Sequence, residues 1–270
     1  MYVKPDGRGW AGVAAAAERL PAGRWAVAAR GIGPGWADGP AGEWSARGDA
    51  SFPAASTVKV AILAALGREI DAGRVVLDQF RPPHPADRVG GSGVLAEMSP
   101  DLALAVADLA YLMIAISDNT ASNALIRLVG LPAVNEHLDD LGLTGIHLGR
   151  PFLGRLPQPD EGENTVTANG LADLLTLIAT DRAASPATCA WMRGMMTRQQ
   201  HRDRLGRDLP PGVGFGGKSG SLPGIAHDAA LLDGPGGTVA VVVLTEGVQD
   251  SHAADAAIGQ IGRAAGNLVR

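Results

Sequence analysis

The pattern of apolar and polar positions divides the chain into strand-like ends and a helical middle. Near the N-terminus a short alanine-rich helix precedes two strand-like runs, RWAVAARG and GEWSARGD. The turn between them is rich in glycine, proline and aspartate, which predicts an antiparallel hairpin. After residue 210 the strand pattern returns in GVGFGGKSGS, IAHDAALLD and TVAVVVLTEG, and AADAAIGQIGRAAGNLV predicts a closing helix.

Helical periodicity extends from Ser56 to about Leu177. The helical segments are STVKVAILAALGREIDAG, LALAVADLAYLMIAIS, TASNALIRLVG, AVNEHLDDLG and ANGLADLLTLIAT. Two of the connections, residues 81–93 and 149–164, are long irregular loops of the kind that often carries function. We expect an α/β sheet lobe from residues 1–53 and 190–270, an all-helical lobe over residues 54–189, and an active site in the cleft between them.

One lysine interrupts the apolar run AASTVKVAIL, which otherwise predicts a buried helix. Ser56 and Lys59 are three positions apart, so on a helix that begins near Ser56 their side chains can touch. Burying an unpaired ammonium costs several kcal/mol and commonly lowers its pKa. Such an amine is the base that a serine hydroxyl needs to become a nucleophile. The alternative is a lysine whose stem crosses the core and whose amine reaches solvent.

Lysine is rare in this chain, which has three lysines and twenty arginines. Arginine keeps its proton at accessible pH, whereas lysine can act as a base or as a compact point charge. The choice of lysine at positions 59 and 218 therefore favours a chemical role for both residues.

Two further motifs accompany Ser-x-x-Lys. The run SDNTASN places Ser117 and Asn119 between two strongly apolar helices, and GGKSGS places Lys218 in a glycine-rich strand. Ser-x-x-Lys, Ser-Asp-Asn and Lys-Ser/Thr-Gly in this order resemble the class A β-lactamase and penicillin-binding-protein superfamily. Spacings of 61 and 101 residues between the motifs also fit that family. The resemblance covers nearly the whole chain and implies a β-lactamase/transpeptidase-like fold, an antiparallel sheet flanked by helices with an inserted helical domain.

The resemblance implies a role for each motif. Ser56 would attack an amide or ester carbonyl to give an acyl-enzyme, and Lys59 would accept its proton. Ser117 and Lys218 would pass that proton to the leaving nitrogen. The backbone N–H groups of Ser56 and Ser221 would form the oxyanion hole.

The other expected site residues would bind the substrate. Asn119 would bind a side-chain amide of the substrate, and Ser219 would bind the substrate carboxylate. Gly220 would let the substrate lie against the strand without a clash. His227 stands where the family often has an arginine that binds the substrate carboxylate. A protonated imidazole can bind an anion, but a strand histidine is equally well satisfied by a carboxylate such as Asp228.

The loop over residues 149–164 departs from the family pattern. Aligning Arg150 and Asn164 with the ends of the family's loop puts Phe152 where the family has a glutamate that activates the hydrolytic water. Leu156 falls near the asparagine that helps to hold that water. The loop's acids are interpreted as a solvated turn: Asp160, Glu161 and Glu163. We expect acylation to remain possible and the turnover of β-lactams to be slow.

The composition of the chain bears on which partners and cofactors the protein could bind. A net charge of −5 gives no electrostatic reason to expect nucleic acid. No apolar run approaches the ~20 residues of a membrane span. The lone Cys189 excludes an internal disulfide and is interpreted as a small buried hydrophobe. The histidines lack metal-ligand spacing, so we expect no metal, and we expect no cofactor. We also expect a monomer. It would be cytoplasmic if the chain is full length and secreted if a leader was trimmed.

Three functions follow from these observations. The first is a serine hydrolase that forms an acyl-enzyme at Ser56 and cleaves a β-lactam, another amide or an ester. The second is a covalent β-lactam-binding protein that deacylates very slowly. The third is a cytoplasmic esterase, amidase or acyltransferase that acts on a substrate other than a lactam.

Overall fold

Both ends of the chain contribute to one five-stranded antiparallel sheet. The computed structural model describes residues 9–21, 23–33, 36, 42–155, 158 and 160–270. In spatial order the strands are β2 (Glu43–Ala46), β1 (Arg24–Ile32), β10 (Gly237–Glu246), β9 (Ile225–Gly234) and β8 (Gly214–Leu222). The predicted hairpin is confirmed, since β1 and β2 pair antiparallel with Val27 opposite Ala46. Its turn includes residues 34, 35 and 37–41, which lie outside the described residues.

The central strands are apolar on both faces because helices cover both sides of the sheet. Alternate residues of β10 belong to different cores: Val241 and Val243 face one, Val242 and Leu244 the other. Helices α1 (Ala11–Ala17) and α8 (Ser251–Gly266) pack together on one face. Helix α6 (Ala168–Ala179) packs against β1 and β10 on the other. A strand buried on both faces reads as a continuous apolar run such as VAVVVL.

The middle of the chain is mainly helical, as predicted. Its other helices are α2 (Lys59–Asp71), α3 (Val106–Ala115), α4 (Asn119–Val129), α5 (Leu131–Asp140) and α7 (Pro186–Met196). The periodicity did not predict α7, which starts at an N-cap formed by Ser185, whose side chain accepts the Thr188 N–H. Cys189 on this helix is buried, as expected. No helix in the described ranges is both long and apolar enough to cross a membrane.

Short strands lie within, and in one case just before, the region that was expected to be all-helical. They are β3 (Phe52–Pro53), β7 (Thr165–Val166) and β6 (Ile146–His147) in one small sheet, and β4 (Phe80–Arg81) with β5 (Leu104–Ala105) in another. Two short 3-10 helices span Pro85–Asp87 and Leu95–Glu97. Two-residue strands carry too little pattern to be read from sequence. The antiparallel sheet, the flanking helices and the inserted helical segment confirm the expected fold class, while the proposed lobe boundaries stay a prediction.

Candidate active site

Ser56 lies in a tight turn just before α2. The predicted helix start near Ser56 is wrong, because the backbone there makes i+3 turns: Lys59 N donates to Ser56 O at 3.3 Å, and Thr57 N to Ala54 O at 3.1 Å. Ala55 before it has a left-handed φ of 47°. The Ser56 N–H donates to no other group in the described part of the chain, which leaves it available to a ligand.

Lys59 is fully buried, and its amine meets the Ser-Asp-Asn motif. Nζ lies 2.6 Å from Ser117 O, 3.1 Å from Ser117 Oγ and 2.8 Å from Asn119 Oδ1. The alternative of an amine that reaches solvent is therefore wrong, since Lys59 is 0% exposed. The predicted contact with Ser56 is also not formed: no hydrogen bond joins Ser56 Oγ to Lys59 Nζ among the described residues.

The surroundings of Lys59 favour a neutral amine. Burial lowers its pKa well below the ordinary value, and the nearby charge of Lys218 lowers it further. Two acceptors are carbonyls and the third is a hydroxyl that can itself donate to a nitrogen lone pair, a set that suits two N–H donors and one lone pair. The Phe152 ring, 4.3 Å from Nζ, stabilises the charged form. That contribution of ~0.5–2 kcal/mol is smaller than the cost of desolvating an ammonium.

The Ser-Asp-Asn motif occupies the strained junction between α3 and α4. Ser117 has a left-handed φ of 60°, an uncommon conformation that persists only where its surroundings enforce it. Asp118 supplies that support: one carboxylate oxygen caps α4 at Ala121 N, and the other accepts the N–H groups of Val94 and Leu95. The fixed junction holds the carbonyl and hydroxyl of Ser117 against Lys59.

Strand β8 presents the third motif beside Ser56. A Cβ on Gly220 would lie 2.9 Å from Ser56 N, so only glycine allows the strand to approach this closely. Lys218 is 0% exposed, and its Nζ donates to Ser219 O at 2.7 Å. Burial lowers the pKa of Lys218 to about 7, although the charge of Asp228 opposes the shift. No hydrogen bond joins Lys218 to Ser117 in the described part of the chain.

Two adjoining cavities meet at Ser56 and Ser221. The loop cavity, about 340 Å³, is also lined by Asn119 and Phe152. The strand cavity, about 250 Å³, is also lined by Ser117 and Ser219. The predicted serines and Asn119 thus surround one space, and the two lysines lie behind its wall.

Arg204 is a site residue that the sequence analysis missed. It lines the strand cavity, and its Nη2 donates to Ser221 Oγ at 2.7 Å. Its Nη1 donates to Gly220 O, and its Nε is paired with Asp255 at 2.7 Å. As one of twenty arginines in no recognisable motif, it carried no signal in the sequence.

His227 does not reach the cavities, so the prediction that it binds substrate is wrong. It is 0% exposed, its Nε2 lies 2.9 Å from Pro53 O, and its Nδ1 accepts Thr245 N–H at 3.0 Å. These two backbone groups require the neutral Nε2–H form. The alternative partner, Asp228, instead accepts Leu205 N–H.

The loop over residues 149–164 seats Phe152 on the buried amine. Asn123 fixes the Phe152 backbone from both sides, accepting its N–H at 2.8 Å and donating to its C=O at 2.9 Å. At the neck of the loop Asn164 Oδ1 accepts the N–H groups of Gly149 and Arg150. Leu156, expected near the water site, lies outside the described residues.

The loop acids keep contact with solvent, which is consistent with their interpretation as a solvated turn, but two of them also form ion pairs. Glu163 Oε1 accepts from Arg150 at 3.1 Å and from Asn164 N at 2.8 Å. Glu161 forms a bidentate ion pair with Arg155, at 2.7 and 2.8 Å. Glu163 lines the loop cavity, but these bonds tie one of its oxygens to the neck of the loop.

Comparison with known proteins agrees with this geometry. A sequence profile described as the Beta-lactamase enzyme family matches residues 37–269. The chain belongs to the β-lactamase enzyme family. Within it, the chain is 30% identical over 223 residues to Beta-lactamase AST-1 of Nocardia asteroides, covering 80% of this chain and 72% of that protein.

Solved structures of β-lactamase-family proteins share the fold. The β-lactamase of Sphaerobacter thermophilus DSM 20745 is 40% identical, with a TM-score of 0.88 over 95% of this chain and 96% of that one. A singly substituted PBP-A, solved as an acyl-enzyme complex with penicillin-G, is 27% identical, with a TM-score of 0.80 over 94% and 93%. This β-lactamase-family chain is a hydrolase of the class A type, and the resemblance seen in its motifs is confirmed.

The buried imidazole of this β-lactamase-family protein gives a pH prediction. Burial lowers the pKa of His227 to about 4, from an ordinary 6.5. The unfolded chain takes up this proton first, so the free energy of unfolding should fall as pH drops from about 6.5 to 4. Histidine NMR, assigned with His227→Gln, should show a midpoint near pH 4; a midpoint near 6.5 would contradict the buried neutral form.

Proposed function

We propose that this protein forms an acyl-enzyme at Ser56 with β-lactams and hydrolyses it slowly. The observation that carries the proposal is a buried amine, Lys59, held by Ser117 and Asn119 beside the cavity that Ser56 lines. A serine hydroxyl becomes a nucleophile only when a neighbouring base can take its proton. Membership of the β-lactamase family supports a lactam as the substrate class.

In the proposed acylation, the hydroxyl proton of Ser56 passes through Lys59 to the leaving nitrogen. Ser56 Oγ forms a bond to the lactam carbonyl carbon, and its proton goes to the neutral amine of Lys59 once substrate draws the two groups together. The lactam C–N bond breaks, and the proton passes from Lys59 through Ser117 Oγ, 3.1 Å away, to the ring nitrogen. The free N–H of Ser56 and that of Ser221 would stabilise the oxyanion.

The strand cavity suits a substrate carboxylate. Ser219 lines it, and Lys218 lies behind it, with a pKa that burial lowers to about 7. Arg204 adds a permanent charge, because arginine stays protonated. Arg204, rather than His227, would bind the substrate carboxylate. One Nη2 proton donates to Ser221 Oγ, and the other would donate to the carboxylate.

Slow deacylation follows from the residue at position 152. A phenyl ring cannot take a proton from water, and its position over Lys59 covers the amine that could. Of the acids on this loop, Glu163 lines the same cavity and has one oxygen tied to Arg150. We therefore expect the acyl-enzyme to be hydrolysed slowly, by a water molecule that no strong base activates. An esterase or acyltransferase acting on another carbonyl remains the second candidate, because an ester would acylate Ser56 through the same residues, with its alcohol as the leaving group.

The adduct itself is the direct test. After exposure to penicillin G, intact-mass spectrometry should show the protein heavier by one penicillin, with slow return to the free mass. Ser56→Ala should show no adduct, because its side chain has no nucleophile, while Ser51→Ala, a change at an exposed serine outside the cavities, should label as wild type does. Labelling of the Ser56→Ala variant at the wild-type rate would contradict the proposal.

Restoring a carboxylate tests the reason given for slow turnover. Phe152→Glu should shorten the adduct lifetime by about 100-fold or more, the lower end of the usual scale for a positioned general base. Phe152→Gln has a similar shape without the base and is the matched control. The lifetime is read by the decay of the adduct mass. If Glu and Gln variants decay alike, the ring at 152 does not occupy the site of a missing base.

A further inference from the structure

We propose that Arg88 is a positioning residue that fixes Asn119 and Phe152 on either side of Lys59. Arg88 lines neither cavity and belongs to none of the motifs. Its effect is transmitted by the segment that it closes, residues 88–99, named here the Arg88 loop. The inference rests on the proposed function, because it concerns the same site.

The Arg88 loop is closed by one guanidinium. Its Nη1 donates to the carbonyls of Leu95, Ala96 and Met98 at 3.2, 3.1 and 2.8 Å, and its Nη2 donates to Ser99 O at 2.7 Å. One side chain thus contacts four carbonyls in a segment of largely irregular backbone, and two of them, those of Leu95 and Ser99, also accept backbone N–H groups. Without it, the carbonyls of Ala96 and Met98 would turn to water, and the Arg88 loop would be held less firmly.

The Arg88 loop orients the Asn119 amide. Asn119 Nδ2 donates to Gly90 O at 3.0 Å, and Asn119 N donates to Ser92 O at 3.0 Å. Because an amide group has one oxygen and one nitrogen, fixing Nδ2 on Gly90 turns Oδ1 toward Lys59, 2.8 Å away. The second Nδ2 proton stays free for substrate.

The same loop supports the backbone that carries Phe152. A Cβ on Gly154 would lie 2.8 Å from Gly90 O, and a Cβ on Gly91 would lie 3.2 Å from Gly154 Cα. The two long loops are therefore in direct backbone contact. Gly154 is two residues from Phe152, whose ring covers Lys59 at 4.3 Å. Movement of the Arg88 loop would release this contact.

Loss of Arg88 should change two rates in a way that instability would not. Acylation should slow by about tenfold, because the Asn119 amide no longer holds the Lys59 amine in place. The adduct should also decay several-fold faster, because a loosened Phe152 admits water to the acyl bond. A smaller folded fraction would reduce the amount of adduct without shortening its lifetime.

The experiment is time-resolved intact-mass spectrometry with penicillin G on wild type, Arg88→Ala and Arg88→Lys. The lysine variant keeps a donor and should recover part of both rates. Arg193→Ala is the matched control, because Arg193 also donates to a backbone carbonyl, Ile178 O, yet lines neither cavity. A double variant with Phe152→Ala should show no further effect of Arg88 on adduct lifetime.

Wild-type rates in Arg88→Ala, or equal changes in Arg88→Ala and Arg193→Ala, would overturn the inference. If wild type forms no adduct, the proposed function is contradicted. The positioning role of Arg88 is then tested by amide hydrogen exchange. Amides of residues 119 and 152–154 should exchange faster in Arg88→Ala than in either wild type or Arg193→Ala. Unchanged exchange at those amides would overturn the inference by itself.

Discussion

The burial of two lysine amines in one core is the constraint on which the rest of the site depends. Lys59 and Lys218 are both 0% exposed, and each would carry a charge in water. The fold reduces the cost by giving each amine oxygen acceptors and by lowering the pKa of both. The left-handed Ser117 and the glycine at 220 are parts of this arrangement, since they bring the acceptors and the strand close.

The loop that carries Phe152 would set how fast an acyl-enzyme is hydrolysed. The same buried amine that would start acylation is covered by the ring of Phe152, and the Asn123 side chain holds that residue's backbone in place. Under the proposed function, a site built this way would form the covalent bond faster than it hydrolyses it. The family relationship accounts for the fold and the motifs, whereas the proposed balance between acylation and deacylation rests on the residues of this chain's own loop.

Much of the fold could be predicted because its signals are local. The periodicity of α2 to α6 and the apolar runs of β9 and β10 are read directly from short windows, and the ordered motifs indicate the family. The exact start of α2, the two-residue strands and Arg204 could not be read in this way. They depend on contacts between distant segments, such as Arg204 with Ser221 and Asp255. His227 was misassigned because its position along the strand gave no information on which groups would enclose it.

The protonation state of Lys59 tests the central claim most directly. The chain has only three lysines, so the Cε signals of ¹³C-lysine-labelled protein can be assigned with single Lys59→Arg and Lys218→Arg variants. NMR titration should show Lys59 losing its proton well below the ordinary 10.5, as a buried base must. A Lys59 signal that titrates near 10.5 would mean a permanently charged amine and would contradict the account.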